Sequence, residues 1–324
     1  MIHYYLVSLA SKKRQICYVH CFTGDSFGII SRFNIHSSFI IPTTERSLNM
    51  LFVSFTSVFW AAQSYAVKKT ISTGIARRDF FFYSCLCLLP FAAVMALVTP
   101  VYFTPTLWLI PIFAVSVFLR YGKQIAEAST MEKLVPYESE AYMCLGVILA
   151  YIIDCAAAIK SFTLWGCLSI VLAVAGVFLI SDVKLQIRKL RISLIIRIVC
   201  DVGLGFVTRY ALLFCSNSLY ILLLNAVIVL LWAHKYKLHS YKDNFPVIKL
   251  VIIQQALGFI CLFLGNMAAQ QSVTAYAFIR PLALAFCILA AFVTKKEARV
   301  PKVKDFAAGA LIIGGICLQA VPNL

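Results

Sequence analysis

Ten apolar runs follow one another along this chain, at roughly 51–66, 80–98, 107–122, 129–153, 163–180, 192–213, 218–233, 248–269, 272–294 and 305–321. Lipid offers no partner to a backbone N–H or C=O group, so only helices and closed β-barrels cross it. Barrel strands alternate apolar and polar residues over about 10 positions, whereas these runs are continuously apolar. The chain therefore reads as all-α, a polytopic transmembrane bundle of about ten helices. Its 62% hydrophobic and 13% charged residues lie outside the range of soluble domains. Several runs fall short of the ~20 residues that cross a bilayer squarely, so Lys, Arg, Tyr and Trp must supply their edges.

A net charge of +16 would suggest nucleic acid in a soluble protein, but here the placement of the charge matters more. Loops after the first, third, fifth, seventh and ninth runs, with adjoining run ends, hold 21 of the 29 Lys and Arg residues. The loops of the other side hold Lys160 alone. The positive-inside rule puts the odd-numbered loops in the cytoplasm and both ends outside. Residues 1–49 conflict with this, since they carry Lys12, Lys13, Arg14, Arg32 and Arg46. Two readings remain open: a poorly structured tail that resists the bias, or a spurious extension ahead of a start at Met50. The segment fits neither a signal peptide nor a span, because Arg32, Asn34 and His36 interrupt its longest apolar stretch.

Most of the twelve cysteines lie in or beside apolar runs, where a thiol behaves as a small hydrophobe. No CxxC pair occurs, and the five histidines fall in the tail or in one basic loop, so no metal site and no cofactor are expected. GxxxxGK[ST], HExxH and GxSxG are all missing, which argues against ATP use and against an enzyme. No catalytic residue is proposed.

The chain divides into two halves of one plan: five runs in residues 50–180, a basic connection at 181–191, and five runs in 192–324. Trp60 precedes Lys68 by eight residues in the first run, as Asp201 precedes Arg209 in the sixth. The fourth and ninth runs contain Pro136 and Pro281, and the fifth and tenth are rich in Gly and Ala, with Ala310 and Gly314 at small-xxx-small spacing. An odd number of spans per repeat inverts the second half, the plan of many secondary transporters. In these features, and in Lys295–Ile316 (KKEARVPKVKDFAAGALIIGGI), residues 50–321 resemble the drug/metabolite transporter superfamily of ten-helix carriers. Asp154 stands where that resemblance leads one to expect glutamate. The resemblance implies a substrate site near the midplane between the halves.

Polar residues inside the runs are the pointers to such a site. Arg280 sits in the run 272–294 just before Pro281, with Tyr276 one turn earlier. Gln255, Asn266 and Gln270 share one face of the eighth span at 100° per residue. Arg209 and Lys68 have the spacing just noted, and Arg120 lies at the end of the third run. These give the substrate-binding candidates Arg280, Tyr276, Arg209, Asn266, Gln270, Lys68 and Arg120, with Glu132 as a candidate proton carrier. Arg197 and Asp201 have the spacing of a structural pair, and Lys123 and Glu127 that of a pair in a solvated turn. An excess of unpaired arginine favours an anionic or zwitterionic metabolite of the amino-acid, nucleotide or sugar-phosphate type. Arg280→Ala is expected to abolish uptake while leaving the melting temperature nearly unchanged.

The chain thus reads as a secondary transporter of a small polar solute by alternating access, exchanging or ion-coupled. A non-transporting membrane scaffold and, behind it, a membrane-embedded enzyme are the alternatives. Its expected partners are that small-molecule substrate and membrane lipid, with no nucleic acid, and a homodimer is allowed. It is placed in a cell membrane as a multi-pass protein, in a bacterial inner membrane or a eukaryotic organelle membrane.

Overall fold

The computed structural model describes residues 43–156, 161–180, 188–233, 245–271, 273–295 and 299–318; the side chains of 43–54, 188–189 and 268–278 are outside the described set. The chain divides into Met1–Leu48 and Asn49–Leu324. Residues 1–42, on which the expectation for the tail mostly falls, lie outside the described residues, and the rest of the first unit is helical from Thr43. The elements are α1 (Thr43–Ile71), α2 (Arg77–Val98), α3 (Leu109–Met131), α4 (Pro136–Met143), α5 (Leu145–Ala156), α6 (Leu164–Ile180), α7 (Arg188–Ala211), α8 (Asn217–Ala233), α9 (Phe245–Gln271), α10 (Val273–Thr294) and α11 (Val303–Leu318). Strand-like pairing among the described residues is confined to one bridge, Phe103 with Cys215.

Arg77–Val98, Leu109–Met131, Pro136–Ala156 and Phe245–Met267 are long and apolar enough to cross a membrane, while α6, α8 and Ile279–Thr294 are apolar but shorter. The interior is largely apolar but also encloses charge, and large apolar side chains stand on the surface. Arg197, Glu140 and Asp154 are fully enclosed, whereas Leu97, Leu107, Leu164 and Val303 are more than four-fifths exposed. An apolar exterior around buried charge has lipid as its natural solvent.

Three boundaries differ from the sequence expectation. The third apolar run ends near residue 122, but α3 continues to Met131, so the expected solvated turn is helix, with Arg120 buried and Lys123 and Glu127 partly buried. The next helix opens at Pro136 instead of near Ser129. Proline suits a first helical position, where its missing N–H is not needed, so Pro136 starts a helix while Pro281 lies inside one. The basic connection also shortens, because Arg188–Arg191 already forms the first turn of α7.

Helix pairs that approach most closely do so through glycine. A Cβ on Gly176 of α6 would lie 2.7 Å from the Ala308 carbonyl oxygen of α11, and one on Gly315 of α11 would lie 3.1 Å from the Ser169 carbonyl oxygen of α6. Side chains would hold these backbones apart, and in lipid such close packing is what joins helices. Ala310 and Gly314, the small pair picked out by spacing, are exposed, and Gly314 meets nothing within 4 Å. The packing register is Ala308, Ile312 and Gly315, offset from the expected pair. Besides α6 with α11, extensive contacts join α2 with α8, α3 with α7, and α10 with α4 and α5.

Candidate functional site

The centre of the bundle holds seven charged side chains. Lys123 and Glu127 come from α3, Glu140 from α4, Arg197 and Asp201 from α7, and Arg280 from α10; Arg120, also on α3, completes the set. Residues 120, 123, 124 and 127 follow the i, i+3, i+4, i+7 spacing of one helix face, which is why a segment that looks like a polar loop presents its polar groups inward.

Arg280 bridges two carboxylates. Its Nη1 donates to Glu140 Oε2 at 2.9 Å and its Nη2 to Asp201 Oδ2 at 2.7 Å, and its guanidinium lies 4.2 Å from the centroid of the Trp60 ring. Lys123 pairs with the other oxygen of Asp201 and also approaches Trp60, at 5.7 Å from the ring centroid. Ser64 donates to Glu140 Oε1 at 2.7 Å. Arg197 donates to Glu127 at 2.6 Å, to Thr130 at 3.4 Å and to Ser139. The expected pairs Arg197–Asp201 and Lys123–Glu127 are therefore exchanged for pairs between α3 and α7. Helices packed this closely bring opposite charges together across the interface, and those contacts displace pairing within one helix.

Three successive residues of α4 meet three different arginines. Glu138 accepts from Arg299 at 2.6 Å, Ser139 from Arg197, and Glu140 from Arg280. Arg299 also donates to Asp305 at 3.0 Å, and Asp305 accepts the Lys302 N–H at 2.8 Å, capping α11. Arg299 lies outside the spanning segments. Its guanidinium is raised above its ordinary value because Tyr137, Asp305 and Glu138 outweigh its partial burial.

Arg120 is different. It is 7% exposed, and among the described residues no carboxylate lies within ion-pair distance of it; its Nε, like those of Arg197 and Arg280, has no hydrogen-bond partner. It faces two adjoining cavities. The first, a cavity of about 40 Å³, is bounded by α1, α3, α9 and α10, with Trp60, Gln63, Gln124, Gln254, Gln255 and Arg280 in its wall. The second, about 20 Å³, is bounded by α3, α7, α8 and α9 and includes Thr208, Tyr220 and Asn266. Arg120 and Lys123 belong to both walls.

Of the residues singled out by sequence, Arg280, Arg120 and Asn266 line these cavities. Asn266 donates to Asn217 Oδ1 at 2.8 Å. The span-eight stripe is buried at both Gln255 and Asn266, while the side chains of its third member, Gln270, and of Tyr276 lie outside the described residues. Lys68 instead donates to the Met131 carbonyl oxygen at 2.5 Å, and Arg209 sits half-buried in the last turn of α7, outside both cavity walls. Glu132 makes a two-pronged pair with Arg77, at 2.9 and 2.6 Å, on an open part of the surface. Arg77 holds its carboxyl below the ordinary value. Glu132 lies on the surface, outside both cavity walls, and is removed from the candidate path on that ground. Sequence reasoning passed over Glu140, Glu138 and Gln254; the carboxylates sat in view inside an apolar run.

Fold and site together define a helical membrane protein with an ion-pair network and a cavity at its centre. No family model matches the chain, and no curated protein matches it significantly.

Proposed function

We propose that the protein is a secondary transporter of a small, anionic or zwitterionic metabolite, of the drug/metabolite transporter type, with ten spans in two inverted five-span halves. The reading rests on one observation above all: a buried arginine with no carboxylate partner among the described residues, Arg120, lines a cavity whose walls come from both halves of the chain. Buried charge is costly in a membrane, and such residues mark solute paths. The pairing of helices supports the repeat. With α4 and α5 counted as one span, α2 with α8, α4 and α5 with α10, and α6 with α11 join the second, fourth and fifth spans to their counterparts in the other half. The cavity then lies between the halves, as alternating access requires.

The test is reconstitution into proteoliposomes preloaded with candidate solutes, scoring saturable uptake of the same labelled solute from outside. Transport predicts trans-stimulated uptake with the solute recovered unchanged. Chemical conversion of the solute would point to an enzyme, and failure of every solute to exchange would favour a scaffold.

A further inference from the structure

Resting on the transport reading, the charge of the site narrows its substrate. Three carboxylates, Glu127, Glu140 and Asp201, face three cations, Arg197, Lys123 and Arg280, through ion pairs that account for all six. Arg120 is left over: among the described residues no carboxylate pairs with it, so the cavity wall carries one cation in excess of its ion pairs. In a low-dielectric interior that excess is most favourably relieved by one negative charge. A zwitterion brings no net charge and leaves it unrelieved; a dianion overshoots by one.

Amides form much of the rest of the larger cavity's wall, beside Trp60, Val67, Cys261 and Leu262. Gln63, Gln124, Gln254 and Gln255 all border it, and the Gln254 Oε1 atom, 1% exposed at the residue level, has no hydrogen-bond partner. Each amide offers both donors and an acceptor, which suits a ligand body carrying hydroxyl or amide groups and suits an apolar one poorly. Arg120 Nε and Gln254 Oε1, a donor and an acceptor each without a hydrogen-bond partner, thus belong to residues that line the same space.

We infer that the site binds a singly charged anion, a carboxylate or phosphodiester, with a hydroxyl- or amide-bearing body: the anion on Arg120 and the body against the glutamines. The guanidinium fork accommodates two oxygens of one anionic group, which a lysine does not match.

The experiment is a charge series on one polyol scaffold. Melting temperature is measured for purified protein at constant ionic strength with gluconate, glucose, glucosamine or glucose 6-phosphate, in wild type, Arg120→Gln and Arg120→Lys. Binding to the native state raises the melting temperature by mass action. Gluconate is expected to give the largest rise in wild type, a smaller one in Arg120→Lys and none in Arg120→Gln. A wild-type protein indifferent to gluconate, a larger rise with glucosamine, glucose or glucose 6-phosphate, or a gluconate effect that survives Arg120→Gln overturns the assignment. Trans-stimulated uptake of glucosamine would sink this substrate class and leave transport standing. Gluconate binding without exchange of any solute would do the reverse.

Discussion

Glu140 and Arg280 lie 140 positions apart in the chain and 2.9 Å apart in the protein, both closed to solvent. The pair ties the start of the fourth span to the middle of the ninth. A second bond from the same guanidinium ties both to Asp201 of α7, so one side chain holds three helices.

Removing Arg280 leaves Asp201 with the Lys123 ion pair and Glu140 with only the Ser64 hydrogen bond and Arg197 at 4.0 Å. Breaking a buried pair from one side costs about 3–5 kcal/mol, because the abandoned charge stays in the interior. Arg280→Gln is expected to lower the melting temperature and the yield of monodisperse protein, and Glu140→Gln to do likewise. The sequence alone led to the opposite expectation, loss of uptake at unchanged stability. Thermal unfolding in detergent decides between them.

At the α6–α11 contact, Gly176→Ala forces a methyl against the Ala308 carbonyl and Ile312. Backbone cannot yield as a side-chain tip can, so a loss of about 1–3 kcal/mol is expected. Gly314→Ala meets nothing within 4 Å and exchanges a poor helix former for the best one, a gain of up to ~1 kcal/mol. Unfolding midpoints of the two variants should move in opposite directions.

Glu132 gives a pH prediction. Its carboxyl is held below its ordinary value of 4.5 by Arg77, so the stabilisation is fully present above that value and fades as pH falls through the depressed one. Between pH 5 and 8 the group stays ionised. Glu132→Gln should leave any proton dependence of uptake in that range unchanged, with stability altered little because the pair is more than a third exposed. An uptake profile that shifts in the variant would restore Glu132 to the path.

The helices themselves were legible because the apolar runs state them, and so was the buried stripe of Gln255 and Asn266, which helical periodicity isolates. The extent of α3 was not. Hydropathy drops at Arg120 and Lys123 because the helix turns charge inward, and a charged segment then resembles a loop; only the i, i+3, i+4, i+7 spacing of 120, 123, 124 and 127 contradicts that. The same error inflated the cytoplasmic tally, since Arg120, Lys123 and Arg197 belong to the interior. Partner choice was hidden for a deeper reason. Arg280 and Arg120 look alike as arginines in apolar surroundings, and what separates them is Glu140, more than a hundred residues from one and on a different helix from both.

That contrast provides the most direct test, the melting temperature of the empty protein with Arg120→Gln set beside Arg280→Gln. An arginine reserved for a ligand is a liability while the site is empty, costing about 2.5–3.5 kcal/mol by membrane-insertion scales. The prediction is that Arg120→Gln raises the melting temperature and Arg280→Gln lowers it. If both variants fall by similar amounts, Arg120 is a structural residue and the cavity holds no charge in wait for a solute.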